Sequence, residues 1–267
     1  MDNQQILIRD EDLEALKVAK AYVVSPTVAA KLANIIGTPL EHAIKSLPSG
    51  VSQVITKVTE KSLKAALEFA VLTLDNRKKK KSADLMHKIF AGASGAVGGA
   101  FGFAALAVEL PVTTTIIFRS IADIARSEGE DLSSIETKLA CLEVFALGGN
   151  SQEDDAAESG YYAVRAALTK LTSEAARHLT EKSLTKSGAN IVSRFITSLA
   201  SRFGVVVTEK AAAMAIPIVG GAGGLIVNTI FIDHFQTIAR GHFIIRRMER
   251  AYGSEMIRQI YEKIKID

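Results

Sequence analysis

Two long segments of this chain carry no charged residue and are rich in glycine. The first runs from Ile89 to Val108 and the second from Ala211 to Ile232, which are 20 and 22 residues long. A helix of about 20 apolar residues is long enough to cross the hydrocarbon layer of a membrane, which is roughly 30 Å thick. The rest of the chain is well charged, since 23% of all residues are Asp, Glu, Lys or Arg. The fold must therefore place these two segments either in a membrane or in a protein core.

The composition favours helices throughout the chain. Only five prolines interrupt 267 residues, aromatic residues make up 6%, and Trp is absent. Long runs of Ala, Leu, Ile, Lys and Glu can therefore stay helical. Near the N-terminus, apolar residues recur at helical spacing at Leu13, Leu16, Ala19 and Val23. Further along, Ser133 or Ser134 is placed to cap the start of another helix.

We predict a single all-α domain over residues 1–267, a helical bundle with two Gly-rich apolar hairpins at its centre. Its N-terminal amphipathic helices occupy residues 1–76, and its core occupies residues 82–267. Small residues at every fourth position allow helices to approach closely. We predict such a packing role for the glycines Gly95, Gly98, Gly99, Gly102, Gly220, Gly221, Gly223 and Gly224. Insertion into a membrane and tight packing in a soluble core both fit this pattern.

A weak internal repeat relates the two apolar segments. The sequence TIIFRSIADIAR, which ends at Arg126, aligns without a gap with TIFIDHFQTIAR, which ends at Arg240. Such self-similarity indicates two structurally equivalent hairpins. One charged position differs in sign between the copies, being Arg119 in the first and Asp233 in the second. We therefore predict an ion pair between Arg119 and Asp233, with two solvated helix faces as the alternative.

Three strings carry a family resemblance: ELPVTTTIIFRSIADIARSEGEDL, ACLEVFALGG, and IPIVGGAGGLIVNTIFIDHFQTIARGHFIIRRMERAYG. Together they resemble the EcsC family of bacterial proteins, over about residue 91 to the C-terminus. The resemblance implies an intracellular, membrane-linked helical protein, because the family is named for a protein encoded beside the components of an ABC transport system. It brings no established catalytic residues to this chain.

Basic residues cluster at two places next to the apolar segments. A polybasic run precedes the first segment, and further arginines follow the second; they are Arg77, Lys78, Lys79, Lys80, Lys81, Arg246 and Arg247. Basic residues near an anionic membrane surface contribute about 1 kcal/mol each. We predict that these residues bind lipid headgroups or an acidic partner, with ordinary solvated loops as the alternative. Nucleic acid is not expected, because no aromatic residues or recognition motif accompany the charge.

The sequence contains none of the common catalytic motifs. A phosphate-binding GxxxxGK[ST] loop, GxGxxG, HExxH and GxSxG are all absent. The weak candidates for acid-base work are Glu109, Asp233 and His234, which occur in apolar surroundings. Their spacing fits no metal-ligand pattern, so we expect neither a metal nor another cofactor. His242 is expected at a surface or interface, and Cys141 in the core.

These features favour a non-catalytic helical protein on the cytoplasmic face of the cell membrane. Its partners would be membrane lipids or a membrane protein complex, and it would support a transport or envelope complex. Two alternatives remain open. One is a hydrolase that acts on lipids or peptides through Glu109, Asp233 and His234. The other is a soluble adaptor that binds helical partners.

Overall fold

The computed structural model describes residues 8–37, 40–74, 102–149, 160–181, 186–216 and 222–266. This part of the chain contains ten α-helices and no strand, which confirms the predicted all-α class. The helices are α1 (Asp10–Val23), α2 (Val28–Ile36), α3 (Leu40–Lys45), α4 (Val51–Thr73), α5 (Gly102–Ser127), α6 (Ile135–Leu147), α7 (Gly160–Thr180), α8 (Lys186–Met214), α9 (Ala222–Tyr252) and α10 (Ser254–Lys263).

Local sequence signals fix several helix ends. The Thr27 side chain accepts a hydrogen bond from the backbone N–H of Ala30 at 3.2 Å, so it caps the start of α2. Ser134 caps α6 in the same way, through the backbone N–H of Thr137, as its sequence context predicted. A side-chain oxygen at this position satisfies an N–H group that has no partner inside the helix. Gly37 follows α2 with a φ of 75°, a left-handed conformation that glycine adopts without strain.

Helix α6 lies at the centre of the described bundle. All eleven residues from Thr137 to Leu147 are buried, and α6 packs against α4, α5, α7, α8 and α9. A helix that is buried on every side has to be surrounded by protein or lipid, and α6 is surrounded by protein. Cys141 is fully buried within it, as expected. Within the Gly-rich segments predicted at the centre, residues 89–101 and 217–221 lie outside the described residues.

The internal repeat corresponds to two helices that pack side by side. Ser120 on α5 accepts a hydrogen bond from Gln236 on α9 at 2.7 Å, and Glu130, just beyond α5, contacts Arg246 further along α9. The two helices therefore run in the same direction. Three pairs of aligned positions are buried in both helices. The buried pairs are Ile117 with Phe231, Ile121 with Phe235, and Ala125 with Ala239.

The ion pair predicted between Arg119 and Asp233 is not formed. Both residues are exposed, and the side chain of Asp233 is 59% accessible to solvent. The Asp233 carboxylate instead lies 3.6 Å from Nζ of Lys31 on α2. The prediction was wrong because both charged positions lie on outward faces of their helices, where water solvates them. Burying either charge without a partner would have cost free energy. The alternative of solvated helix faces is the arrangement observed.

In the described part of the chain, close approach involves glycines that the sequence analysis did not single out. A Cβ added at Gly241 on α9 would lie 2.6 Å from the backbone oxygen of Ala19 on α1. Added atoms at Gly148 and Gly149, which follow α6, would also collide with neighbouring residues. By contrast, Gly224 has open space around it. Gly102 and Gly223 fall within α5 and α9, while Gly95, Gly98, Gly99, Gly220 and Gly221 lie outside the described residues.

Candidate functional site

The three weak catalytic candidates have three different partners. Glu109 accepts a hydrogen bond from Lys210 at 2.7 Å, and exposed Asp233 pairs with Lys31. The buried ring of His234 contacts the backbone oxygen of Gly148 at 2.8 Å through Nε2. Because a carbonyl oxygen only accepts hydrogen bonds, Nε2 must carry the proton and Nδ1 is left as an acceptor. The structure therefore gives these three side chains separate roles in packing.

Burial keeps His234 uncharged at neutral pH. Desolvation lowers the pKa of its imidazole to about 4, although the bond to Gly148 opposes this shift. Its Nδ1 is buried without a hydrogen-bond partner in the described part of the chain. The His234 ring packs edge-on against Phe235. A Cβ added at Gly148 would lie 2.6 Å from the ring of Phe235, so this aromatic ring packs closely over Gly148. His234 thus ties α9 to the end of α6.

A fully buried lysine joins the ends of three helices. Lys210 on α8 donates to Glu109 on α5, and its Nζ lies 4.7 Å from the ring centroid of Phe231 on α9. Burial lowers the pKa of Lys210, while the charge and hydrogen bond of Glu109 raise it. A buried cation needs such a partner, since an isolated buried charge is costly. The C-terminal end of α8 is therefore fixed beside the N-terminal halves of α5 and α9.

Exposed apolar side chains surround this junction. Val108 precedes Glu109, and Met214 lies one helical turn beyond Lys210. Leu225 and Ile226 lie in the first turns of α9, and Leu225 is 73% exposed. We call these four residues the apolar end. In the sequence, the uncharged segments 89–101 and 217–221 directly precede α5 and α9.

A second group of charged residues is buried between α6, α7 and α9, and the sequence analysis missed it. Arg165 on α7 binds both carboxylate oxygens of Glu249 on α9, at 2.7 and 2.8 Å. Such two-pronged pairs are geometrically specific and strong. His242, fully buried, contacts the hydroxyl of Tyr161 at 2.9 Å through Nδ1. Its expected surface position was therefore wrong. We call Arg165, Glu249, His242 and Tyr161 together the buried ionic cluster.

Two more glutamates lie close to this cluster. Burial raises the pKa of Glu143 on α6, which accepts a hydrogen bond from Thr172. Glu130 is also buried, yet Arg246 and Arg250 hold its pKa below the usual range. Strongly perturbed groups often mark functional sites, but paired structural ions produce the same signature. Partners 84 to 120 residues apart cannot be found from sequence spacing, which explains why these contacts were missed.

The structure gives the predicted basic residues intramolecular partners where it describes them. Arg246 lies 2.8 Å from Glu130, and Arg247 lies 3.2 Å from Glu128. Arg246 is therefore already paired within the protein, although its side chain is 26% exposed. Binding of a lipid or an acidic partner by these residues stays a prediction. Arg247 remains about half exposed. The polybasic run Arg77, Lys78, Lys79, Lys80 and Lys81 lies outside the described residues.

Neither a metal site nor a clear membrane span emerges from the described residues. They contain no group of three His, Cys, Asp or Glu side chains able to hold a metal ion. One stretch within them, Gly188–Met214 of α8, is long and apolar enough to cross a membrane, with a mean hydropathy of 1.3. Length and composition alone do not separate a span from a core helix, and α8 packs against α4, α6 and α7.

The fold and these sites define an all-α bundle that has a paired ionic interior and one exposed apolar end. The model of the EcsC protein family matches residues 11–248, so the chain belongs to that family. The match includes α1 through most of α9 and stops before α10. Neither a curated protein nor a solved structure matches the chain.

Proposed function

We propose that this protein associates with the cytoplasmic face of the cell membrane and performs no catalysis there. The observation that carries the proposal is the apolar end, where Val108, Met214, Leu225 and Ile226 are each exposed near the ends of α5, α8 and α9. Large exposed apolar patches mark sites of contact with membranes or other proteins. Two uncharged segments that contain glycines directly precede α5 and α9 in the sequence, and their composition is compatible with such a contact.

The arrangement of charged groups supports a non-catalytic function. Arg165 forms an ion pair with Glu249, and Lys210 forms an ion pair with Glu109. A catalytic acid or base has to reach a substrate, whereas these groups are engaged inside the protein. A hydrolase that uses Glu109, Asp233 and His234 is therefore not our proposal, since each of these residues contacts a different partner.

The partners we propose are membrane lipids or a membrane protein complex of transport or envelope function. The apolar end would contact the bilayer or a membrane protein, and it needs no cofactor for that role. Burial of exposed apolar surface stabilises either contact by about 25 cal/mol per Å². A soluble adaptor for helical partners would use the same surface in water, so localisation separates the two functions.

Fractionation of cells tests the proposal. We expect the untagged protein to sediment with membranes, to withstand high-salt and carbonate washes, and to dissolve in detergent. Release by salt would indicate an electrostatic contact alone. Recovery in the soluble fraction would overturn the proposal and favour the adaptor, which would then co-purify with a protein partner.

A matched pair of variants assigns the contact to the apolar end. Leu225→Glu with Ile226→Glu places two charges there and should shift the protein from the membrane to the soluble fraction. Val18→Glu with Ile266→Glu adds the same charge at exposed apolar positions elsewhere on the surface. We expect this control to fractionate as the unchanged protein does. Equal behaviour of both variants would show that the apolar end is not the contact.

A further inference from the structure

Three lysines form a row on the outer face of α4. Lys57, Lys61 and Lys64 are all exposed and are spaced by four and three residues. Residues at this spacing lie on one face of a helix. Within the described part of the chain, no ion pair joins any of the three to a carboxylate. We call these residues the lysine row.

The acidic residues of α4 leave the row with a net positive charge. Glu60 lies three residues after Lys57 and four before Lys64, and it accepts a hydrogen bond from Thr197 on α8 at 3.0 Å. Glu68 is exposed one turn beyond Lys64 and shares the face of the row. Three positive charges and two negative charges thus occupy this surface, so it keeps one net positive charge.

Exposed apolar side chains border the lysine row at both ends. Val54 precedes it, and Val71 and Leu72 follow it; Leu72 is 59% exposed. Helices that lie in the membrane interface typically carry both basic residues and exposed apolar residues. A solvated helix face has no need of large apolar side chains. The composition of this face therefore fits a bilayer surface better than bulk water.

The position of α4 relates the lysine row to the apolar end. Glu60 contacts Thr197, while Ser52 and Thr208 line one groove, so α4 and α8 run in opposite directions. The first turns of α4 consequently lie beside the last turns of α8, which end at Met214. The row begins six residues into α4, about 9 Å from its start, and extends about 10 Å farther from the apolar end, at 1.5 Å per residue.

We propose that the lysine row binds the anionic headgroups of a lipid bilayer while the apolar end contacts its hydrocarbon region. This inference rests on the proposed function, and it assigns the lipid class and the residues that recognise it. Each basic residue near an anionic surface strengthens binding by about fivefold. The exposed position of the row makes this contribution sensitive to salt, because the Debye length is only about 8 Å at physiological ionic strength.

Co-sedimentation of the full chain with vesicles tests the assignment. Vesicles of phosphatidylcholine alone are compared with vesicles that contain 30% phosphatidylglycerol, at about 0.05 M and 0.5 M salt. The test variant carries Lys57→Gln, Lys61→Gln and Lys64→Gln. The matched control carries Lys170→Gln, Arg177→Gln and Lys263→Gln, which remove the same charge from exposed positions on α7 and α10. Circular dichroism verifies that both variants keep their helices.

We expect the test variant to lose about 10- to 100-fold of its affinity for the anionic vesicles at low salt, and the control to change by less than about twofold. Equal affinity of the two variants would overturn the proposal that the lysine row binds headgroups, and it would leave the proposed function intact. Equal affinity of the unchanged protein for both vesicle types would also overturn it, because charge would then play no part. Failure of the unchanged protein to bind any vesicle would overturn the proposed function and the lysine row together.

Discussion

Individual residues decide how closely the helices of this bundle approach. Gly241 lets α9 lie against the backbone of α1 at Ala19, whereas Gly204 on α8 has no atom near the position of an added Cβ. Sequence pattern did not separate these two kinds of glycine, because both occur singly in helices. The distinction depends on which helix lies opposite, and that is a property of the folded chain.

Alanine at these two positions should therefore have opposite effects. Gly241→Ala places a methyl group against a backbone oxygen that cannot move aside, so we expect a loss of about 1 to 3 kcal/mol in the free energy of unfolding. Gly204→Ala should stabilise the protein by about 0.5 to 1 kcal/mol, since alanine favours the helix. Urea denaturation measures both. A gain in stability for Gly241→Ala would show that α1 and α9 are not in close contact.

A buried carboxyl group makes stability depend on pH. Burial raises the pKa of Glu209 to about 7, against the opposing hydrogen bond from the backbone N–H of Ala29. The folded protein therefore binds this proton more tightly than the unfolded chain does. The stability that the protonated group provides is lost as pH rises from about 4.5 to about 7.

Glu209→Gln should remove this pH dependence. The amide keeps an oxygen that accepts from Ala29 and carries no charge, so the variant should match the unchanged protein at pH 4.5. Above pH 7 it should be more stable by about 2 to 3 kcal/mol. Denaturation from pH 4.5 to 8 checks the difference. Glu68→Gln, at an exposed site on α4, should show none, and parallel profiles for both variants would contradict the shifted pKa.

At the scale of elements, sequence periodicity located the helices but did not show which of them lies at the centre of the bundle. The apolar positions Leu16, Ala19 and Val23 are buried on one face of α1, and α6 begins at the predicted cap. The central place of α6 was not predicted, because a thirteen-residue helix surrounded by other helices gives no periodic signal. The repeat predicted that α5 and α9 are equivalent. It did not predict which of their faces point inward.

The last helix, α10, depends on a lysine from the first. Lys20 donates to the backbone oxygens of Tyr261 and Ile264, at 2.9 and 2.6 Å. The Tyr261 carbonyl lies in the final turn and also accepts a hydrogen bond of 3.3 Å from the backbone N–H of Ile264, while Ile264 itself follows the last residue of the helix. The buried Lys20 side chain on α1 therefore caps the C-terminal end of α10.

Lys20→Met should loosen α10 selectively. Loss of the buried donor removes a hydrogen bond from both carbonyl groups and should cost about 1 to 3 kcal/mol. Hydrogen exchange measured by mass spectrometry should become faster in peptides from α10, while peptides from α6 keep their protection. Lys17→Met serves as the control, because Lys17 is exposed and pairs with Glu14 on its own helix. Unchanged exchange in α10 would mean that other contacts hold it.

At the scale of the whole molecule, the buried ionic cluster and the apolar end lie at opposite ends of α9. Leu225 and His242 are 17 residues apart on this helix, which corresponds to about 25 Å. Charged groups at one end are paired inside the protein, and apolar groups at the other end are exposed. The sequence indicated both chemistries. It could not separate them in space, because the partners of Glu130 and Glu249 come from distant parts of the chain.

This polarity predicts that only one end of the molecule enters an apolar environment. Because the chain lacks Trp, a single introduced Trp reports on its own site. Leu225→Trp should shift its fluorescence to shorter wavelengths when anionic vesicles are added, since the apolar end then leaves water. Ile266→Trp, at an exposed position beyond α10, should keep the emission of a solvated Trp. A blue shift at both positions would indicate that the molecule lies flat on the bilayer, and a shift at neither would place the apolar end in water.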